Sequence, residues 1–188
     1  MKRLLFIIAI VAALVGAKTA WSAIFDIHDF GIVSVVGGFH RDAGACYALL
    51  DGTPTFCAAN ARDWYVDVHG LRSGPATGVL VAGGNGTPST LQARITCMTI
   101  AGNRAVVGGY LTADTDAPEL VGDALLFYAI DNGGPGGNTT PDKATANEIY
   151  GPGDALPAGF PRNCGEPIST FSGYTDVGDG DVSIHGGL

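Results

Sequence analysis

Between positions 61 and 69 apolar and polar side chains alternate. Arg62, Trp64, Val66 and Val68 share one phase, and Asp63, Tyr65, Asp67 and His69 the other. A period of two is that of a half-buried antiparallel strand. Trp64, Val66 and Val68 are therefore expected in a core, and Tyr65, Asp67 and His69 in water. A second stretch, 94–112, reads as one β-hairpin: two β-rich runs flank Gly102-Asn103, and Gly followed by Asn suits a two-residue type II′ turn. Pairing Ala101 with Arg104 sets Thr99 against Val106, Cys97 against Gly108 and Ile95 against Tyr110. On the other face Ile100 meets Ala105 and Met98 meets Val107. Opposed side chains lie about 5 Å apart, so a glycine opposite Cys97 leaves room for a disulfide to leave the sheet. Gly108-Gly109 also fits a bulge.

The remaining runs are short. An opening strand is expected over 24–36, ended by Gly37-Gly38. Short strands at 44–50 and 55–59 flank the turn Asp51-Gly52-Thr53-Pro54. A loop at 70–75 leads to a strand at 76–82 and a Gly-rich turn at 83–88. After an acidic loop at 113–122, the run 123–131 is apolar on both faces, which suits a central strand. Residues 142–150 fit a strand or one helical turn, 151–167 are Pro-rich and irregular, and 181–185 form a closing strand. Such runs, separated by 29 Gly and 10 Pro, predict an all-β, single-domain antiparallel β-sandwich or β-barrel with long Gly/Pro-rich loops.

The first two dozen residues fit no strand. Lys2-Arg3 precede an unbroken apolar run from Leu4 to Val15, then small residues. This is the pattern of a secretory signal peptide, too short to span a bilayer. Cleavage before Lys18 or before Ala23 satisfies the small-x-small rule. The second is favoured because it leaves the chain just ahead of its first strand. The expected organisation is a signal peptide at 1–22 and one secreted domain at 23–188, with no transmembrane segment in the mature chain. Removing Lys2, Arg3 and Lys18 lowers Lys plus Arg from 10 to 7 against 18 acids and takes the net charge from −8 to −11. That balance argues against nucleic acid and anionic lipid as partners.

All four cysteines, Cys46, Cys57, Cys97 and Cys164, follow the signal segment, in a compartment that permits disulfides. Without CxxC or finger-spaced histidines, zinc is not indicated. Of the three possible pairings, Cys46–Cys57 and Cys97–Cys164 are favoured. The first closes a short turn, and the second ties the hairpin to the Pro-rich segment.

Ile95-Thr96-Cys97, then Ile100-x-Gly102-Asn103-x-Ala105-x-Val107-x-Gly109, then Leu126-Phe127-x-x-Ile130-Asp131-Asn132-Gly133-x-Pro135-Gly136 and Asp142, resembles a pattern in functionally uncharacterised secreted bacterial proteins of post-COAP type. The resemblance covers about 76–150 and, more weakly, Gly180-Asp181-Val182-x-Ile184-His185. It implies a compact all-β domain outside the cytoplasm and transfers no catalytic residue. The chain departs from the pattern in the insert at 112–122 and in the extra Cys46/Cys57 pair.

Candidate chemistry is sparse. Asp176, Asp179 and Asp181 on a Gly-containing loop could supply part of a Ca²⁺ shell, or form a solvated acidic turn; the spacing is not that of an EF-hand. Asp131 fits an Asx turn. Asp67 and His69 share a strand face and could edge a site. No G-x-S-x-G is present, and His28, His40, His69 and His185 are scattered. The expectation is a non-enzymatic binding or surface-associated module with a cell-surface or carbohydrate partner and no required cofactor. A hydrolase-type enzyme, or a structural subunit assembling through a sheet edge, is the alternative. N-terminal sequencing of the exported protein is expected to begin at Ala23; a chain still beginning at Met1 would overturn the signal-peptide assignment.

Overall fold

The computed structural model describes residues 32–84, 87–133, 140–169, 173–177 and 179–185. The expected signal peptide, His28 and the first part of the expected opening strand lie outside the described residues. The twelve strands among them are β1 (Ile32–Arg41), β2 (Cys46–Ala48), β3 (Pro54–Cys57), β4 (Arg62–Leu71), β5 (Ser73–Gly84), β6 (Thr87–Ala101), β7 (Arg104–Asp114), β8 (Ala124–Ile130), β9 (Lys143–Thr145), β10 (Glu148–Tyr150), β11 (Tyr174–Asp176) and β12 (Asp179–His185). All pair antiparallel in one sheet of order β12-β1-β4-β5-β6-β7-β8-β9-β11-β2-β3, with β10 also on β8. The protein is an all-β, disulfide-stapled antiparallel domain. Its sheet curls in the manner of a barrel without closing.

Alternation decides which side chains enter the curl. Val33, Val35 and Phe39 of β1, Trp64, Val66 and Val68 of β4, Leu80 and Ala82 of β5, and Leu125 and Phe127 of β8 form the inner core. At its centre the Trp64 ring lies 6.0 Å from Phe39 and 5.7 Å from Phe127, nearly parallel to both. Such ring pairs contribute roughly 0.5–1.5 kcal/mol beyond the area they bury. Tyr65 and His69 are exposed, as the alternation requires.

The hairpin keeps its expected register from Ala101↔Arg104 to Cys97↔Gly108, then slips. Thr96 is an extra residue, so Ile95 pairs with Gly109 and Arg94 with Tyr110, where Tyr110 was expected opposite Ile95. One inserted residue reverses the alternation. Ile95 therefore points inward beside Met98 and Ile100, while Cys97 points outward. There Cys97 is bonded to Cys164. A Cβ on Gly108 would lie 2.8 Å from Cys164 Sγ and 2.5 Å from Leu126 Cδ2, so only glycine fits beside this crosslink. Cys46–Cys57 joins directly opposed residues of β2 and β3.

Three expectations are corrected. Gly37-Gly38 do not end β1: the ladder to β4 runs through them to Arg41, and β12 packs so close that a Cβ on Gly37 would meet Asp181 O at 2.4 Å. Residues 70–75 are not a loop, because the β4–β5 ladder extends to Gly70↔Ala76 and Ser73 already pairs with Thr99 of β6. Residues 142–150 form two short strands rather than one element, and β11 was not foreseen.

The curl ends where β12 reaches the β8–β9 corner, and side chains make that junction. Asp142 accepts the Asn132 N–H with Oδ1 (2.8 Å) and the Val182 N–H with Oδ2 (3.0 Å). Asp131 accepts the Gly133 N–H with Oδ1, the Asx turn expected of it, and the Ile184 N–H with Oδ2, both at 2.8 Å. Each carboxylate thus serves the turn after β8 and the outer edge of β12. Burial raises the Asp142 carboxyl above its ordinary range; the two N–H donors oppose this, and nearby Asp181 and Asp131 add to it.

Asp142→Ala leaves two backbone N–H groups without their acceptor and is expected to destabilise the domain by about 3 kcal/mol in urea unfolding, with Asp142→Asn costing about half. The folded state holds the Asp142 proton more tightly than the unfolded chain. This contribution is therefore full below the ordinary value of about 3.9 and is lost as pH rises through the folded value. The stability advantage of the wild type over Asp142→Asn should grow as pH falls through that range; an advantage that shrinks would contradict it.

Candidate functional site

The inward phase of β1 and β4 does not end on an apolar residue. One step beyond Phe39 stands Arg41, and one step before Trp64 stands Arg62; the two arginines are register partners. Like charges directly opposed on a sheet repel, so both need partners. Arg41 donates from Nη1 to Tyr47 Oη and from Nη2 to Asn60 O, each at 2.7 Å, and its guanidinium lies 5.8 Å from the Tyr47 ring centre. Burial raises the Tyr47 hydroxyl, and the bond from Arg41 partly offsets this. Arg62 Nη2 pairs with Asp116 Oδ2 at 3.1 Å. Asp116 is held by a turn in which Asp114 Oδ1 accepts the N–H groups of Asp116 and Ala117.

Arg41, Arg62, Asp114 and Asp116, with Trp64, line a cavity of about 280 Å³ at one end of the curl. Leu91, Ala117 and Ile149 form apolar wall, and Ala146 and Asn147 reach it from the β9–β10 link. Both strands of that link pair with β8, so the two residues between them are pushed over the mouth. Three of the lining residues each carry a buried polar atom that makes no hydrogen bond among the described residues: Arg41 Nε, Trp64 Nε1 and Asn147 Oδ1. Arg41 and Trp64 are 7% and 5% exposed. Buried donors normally have partners, so these three atoms are exceptions within the lining.

The residues singled out in the sequence lie elsewhere. Asp176 Oδ1 meets Lys143 Nζ at 2.5 Å, Asp179 starts β12 opposite His40, and Asp181 Oδ2 accepts the Ser183 hydroxyl. Among the described residues no three His, Cys, Asp or Glu side chains are grouped as a metal would need. Asp67 pairs with His69 at 2.8 Å and accepts the Tyr65 hydroxyl on the outer face. A wider groove of about 530 Å³ runs over Gly37, Gly38 and Gly180, but none of the buried unpartnered atoms lines it.

A second polar cluster lies under the Pro-rich segment. Buried Glu148 accepts the Ser169 and Tyr150 hydroxyls, and Tyr128 stands beside it with its hydroxyl raised first by burial and then by the Glu148 charge. No cavity opens on this cluster among those described, and it fastens the segment to the sheet.

The alternation already placed Arg62 on the Trp64 face. A cation in the core phase was the available signal for this site. Arg41 carries the same signal on β1, hidden because Gly37-Gly38 read as the strand's end. Asn147 had none. Comparison of the chain with protein-family models, with curated proteins and with solved structures found no match in any of the three. What fold and site define is therefore a class: a curled antiparallel sheet with a small polar pocket at one end.

On the outer face near this end, His40 Nδ1 lies 2.7 Å from Asp63 Oδ1. That bond, with the charges of Asp63, Asp42 and Asp179, raises the imidazole above its ordinary value. The stability it adds is full below about 6.5 and is lost as pH rises through the folded value. NMR titration should find His40 raised in the wild type and returned toward 6.5 in Asp63→Asn; the same value in both proteins would remove Asp63 as the cause.

Proposed function

We propose that this protein is a non-enzymatic binding module that works outside the cytoplasm and holds a small polar ligand in the cavity between Arg41, Trp64 and Asn147. The observation that carries this reading is the cavity of about 280 Å³ itself, where two arginines, two aspartates, an indole and a carboxamide come together at one end of the curl.

The chemistry of the lining favours binding over catalysis. No Ser, Thr, Cys, Lys or His is among the residues that line the cavity, which leaves two carboxylates as the candidates there for nucleophile or base. Its two carboxylates are engaged, Asp114 with backbone N–H groups and Asp116 with Arg62. Export is supported by the signal-like segment and by two disulfides, which persist in oxidising compartments. No helix among the described residues is long and apolar enough to cross a membrane. The post-COAP-type resemblance points to the same setting.

A screen of small polar molecules against the ¹⁵N-labelled protein tests the reading. Saturable shifts are expected at the Trp64 indole N–H and at the amides of Ala146 and Asn147. Shifts confined to other surfaces, or none with any compound, would overturn it.

A further inference from the structure

We propose that the Cys46–Cys57 disulfide is a thiol-exchange site, opened by a small dithiol while Cys97–Cys164 stays closed, and that its opening releases the hairpin whose Tyr47 holds Arg41. The proposal does not depend on the cavity having a ligand.

The two crosslinks differ in where they stand. Cys97 and Cys164 are 0% and 1% exposed and belong to an apolar cluster with Val106, Leu126 and Tyr128. Their bond joins positions 67 residues apart. Cys46 and Cys57 are both exposed, on the last two strands of the sheet, and are 11 residues apart. Exchange requires a thiolate to reach a sulfur, so its rate follows access, and exposed disulfides are the labile ones.

The fold does not rest on the exposed bond. Strand β3 ends the order of the sheet beside β2, and β2 meets β11 at one register position, Ala48↔Tyr174. No residue of the β2–β3 hairpin belongs to either buried apolar cluster. Opening Cys46–Cys57 therefore leaves the core packing in place, whereas opening Cys97–Cys164 would break into it.

What the hairpin does reach is Arg41. Tyr47 of β2 is 1% exposed, and its ring stacks on Phe56 of β3 at 4.6 Å. Its hydroxyl accepts from Arg41 Nη1 at 2.7 Å, and its carbonyl oxygen accepts the Thr55 hydroxyl at 3.0 Å. The Tyr47↔Phe56 pair is next in the ladder to Cys46↔Cys57, and the register shifts directly after it. The disulfide thus fixes the register in which Phe56 backs Tyr47. An isolated hairpin of this size is marginal in water, so without the bond Tyr47 loses its support. Arg41 lines the cavity opposite its register partner Arg62. The redox state of the sheet's last hairpin is carried to the cavity wall through the Tyr47 hydroxyl.

The exchange balances with one dithiol. A thiolate of the dithiol attacks one sulfur of the pair, the S–S bond breaks, and the other cysteine leaves as a thiolate and takes up a proton. The second thiol of the dithiol then attacks the mixed disulfide and frees the first cysteine, which is protonated in turn. The dithiol is oxidised to its own disulfide, and Cys46 and Cys57 end as thiols.

The experiment treats the folded protein at neutral pH with dithiothreitol, blocks freed thiols with iodoacetamide and maps the labelled peptides by mass spectrometry. Label is expected on Cys46 and Cys57 before any reaches Cys97 or Cys164. In ¹⁵N-labelled protein the Arg41 side-chain N–H signal is expected to shift as the bond opens, with the Val66 and Val68 amides unmoved. The double variant Cys46→Ser with Cys57→Ser should fold, show the shifted Arg41 signal without dithiol and not respond to dithiol at the concentration that opens the wild-type bond. Labelling of all four cysteines together, or of none until the protein unfolds, would overturn the exchange site. Selective labelling with an unmoved Arg41 signal would overturn its link to Arg41. A double variant that fails to fold would overturn the proposal as well, because the core would then require the bond.

Discussion

A curled sheet that does not close has two edges to satisfy. Here one of them, β12, comes to rest against the β8–β9 corner, where no continuous ladder joins them. Its outward N–H groups at Val182 and Ile184 are instead taken by the carboxylates of Asp142 and Asp131. An exposed row of strand N–H groups invites pairing with other chains, and two acidic side chains remove that invitation. Each carboxylate has a second oxygen engaged in the turn after β8, at Asn132 and Gly133. The turn after β8 and strand β12 are therefore held by the same two carboxylates. The inner core depends on this junction, because Val182 of β12 packs in the cluster that contains Phe127 of β8.

The middle of the sheet is buried on both sides. Inward, Met98, Val107 and Phe127 meet the aromatic core. Outward, Cys97, Val106, Leu126 and Tyr128 are covered by the segment around Cys164 and by Tyr174. That cover has no strand of its own between Gly151 and Pro167. A disulfide and the polar knot at Glu148 supply what ladder hydrogen bonds would otherwise provide. The inserted residue at Thr96 links the two layers, because it turns Cys97 outward while keeping Ile95 and Met98 in the core.

The pocket follows from the same alternation. The inward phase of β1 and β4 continues past the last apolar side chain, so two arginines stand at the mouth of the curl. Their mutual repulsion is relieved by Tyr47, Asn60 and Asp116, each from a different part of the chain. The acidic stretch at the end of β7 and just after it supplies Asp114 and Asp116 to one wall of the candidate site.

By itself the sequence determined what depends on neighbours along the chain. A period of two placed Trp64, Val66 and Val68 inward and Tyr65 and His69 outward. Turn chemistry set the hairpin register as far as Cys97, and the glycine opposite that cysteine agreed with the disulfide to Cys164. Only the tertiary structure decided what depends on distant segments meeting. The bulge at Thr96, the continuation of β1 through Gly37-Gly38 and the strand pairing of Ser73 all answer to partners remote in the chain. The site belongs to this second group. Arg41, Trp64 and Asn147 lie on separate elements, and nothing local to any of them says that they line one cavity. Their convergence is produced by the curl, and the curl is held by carboxylates whose strand partners lie some fifty residues away in the case of Asp131. Local periodicity carries no information about that distance.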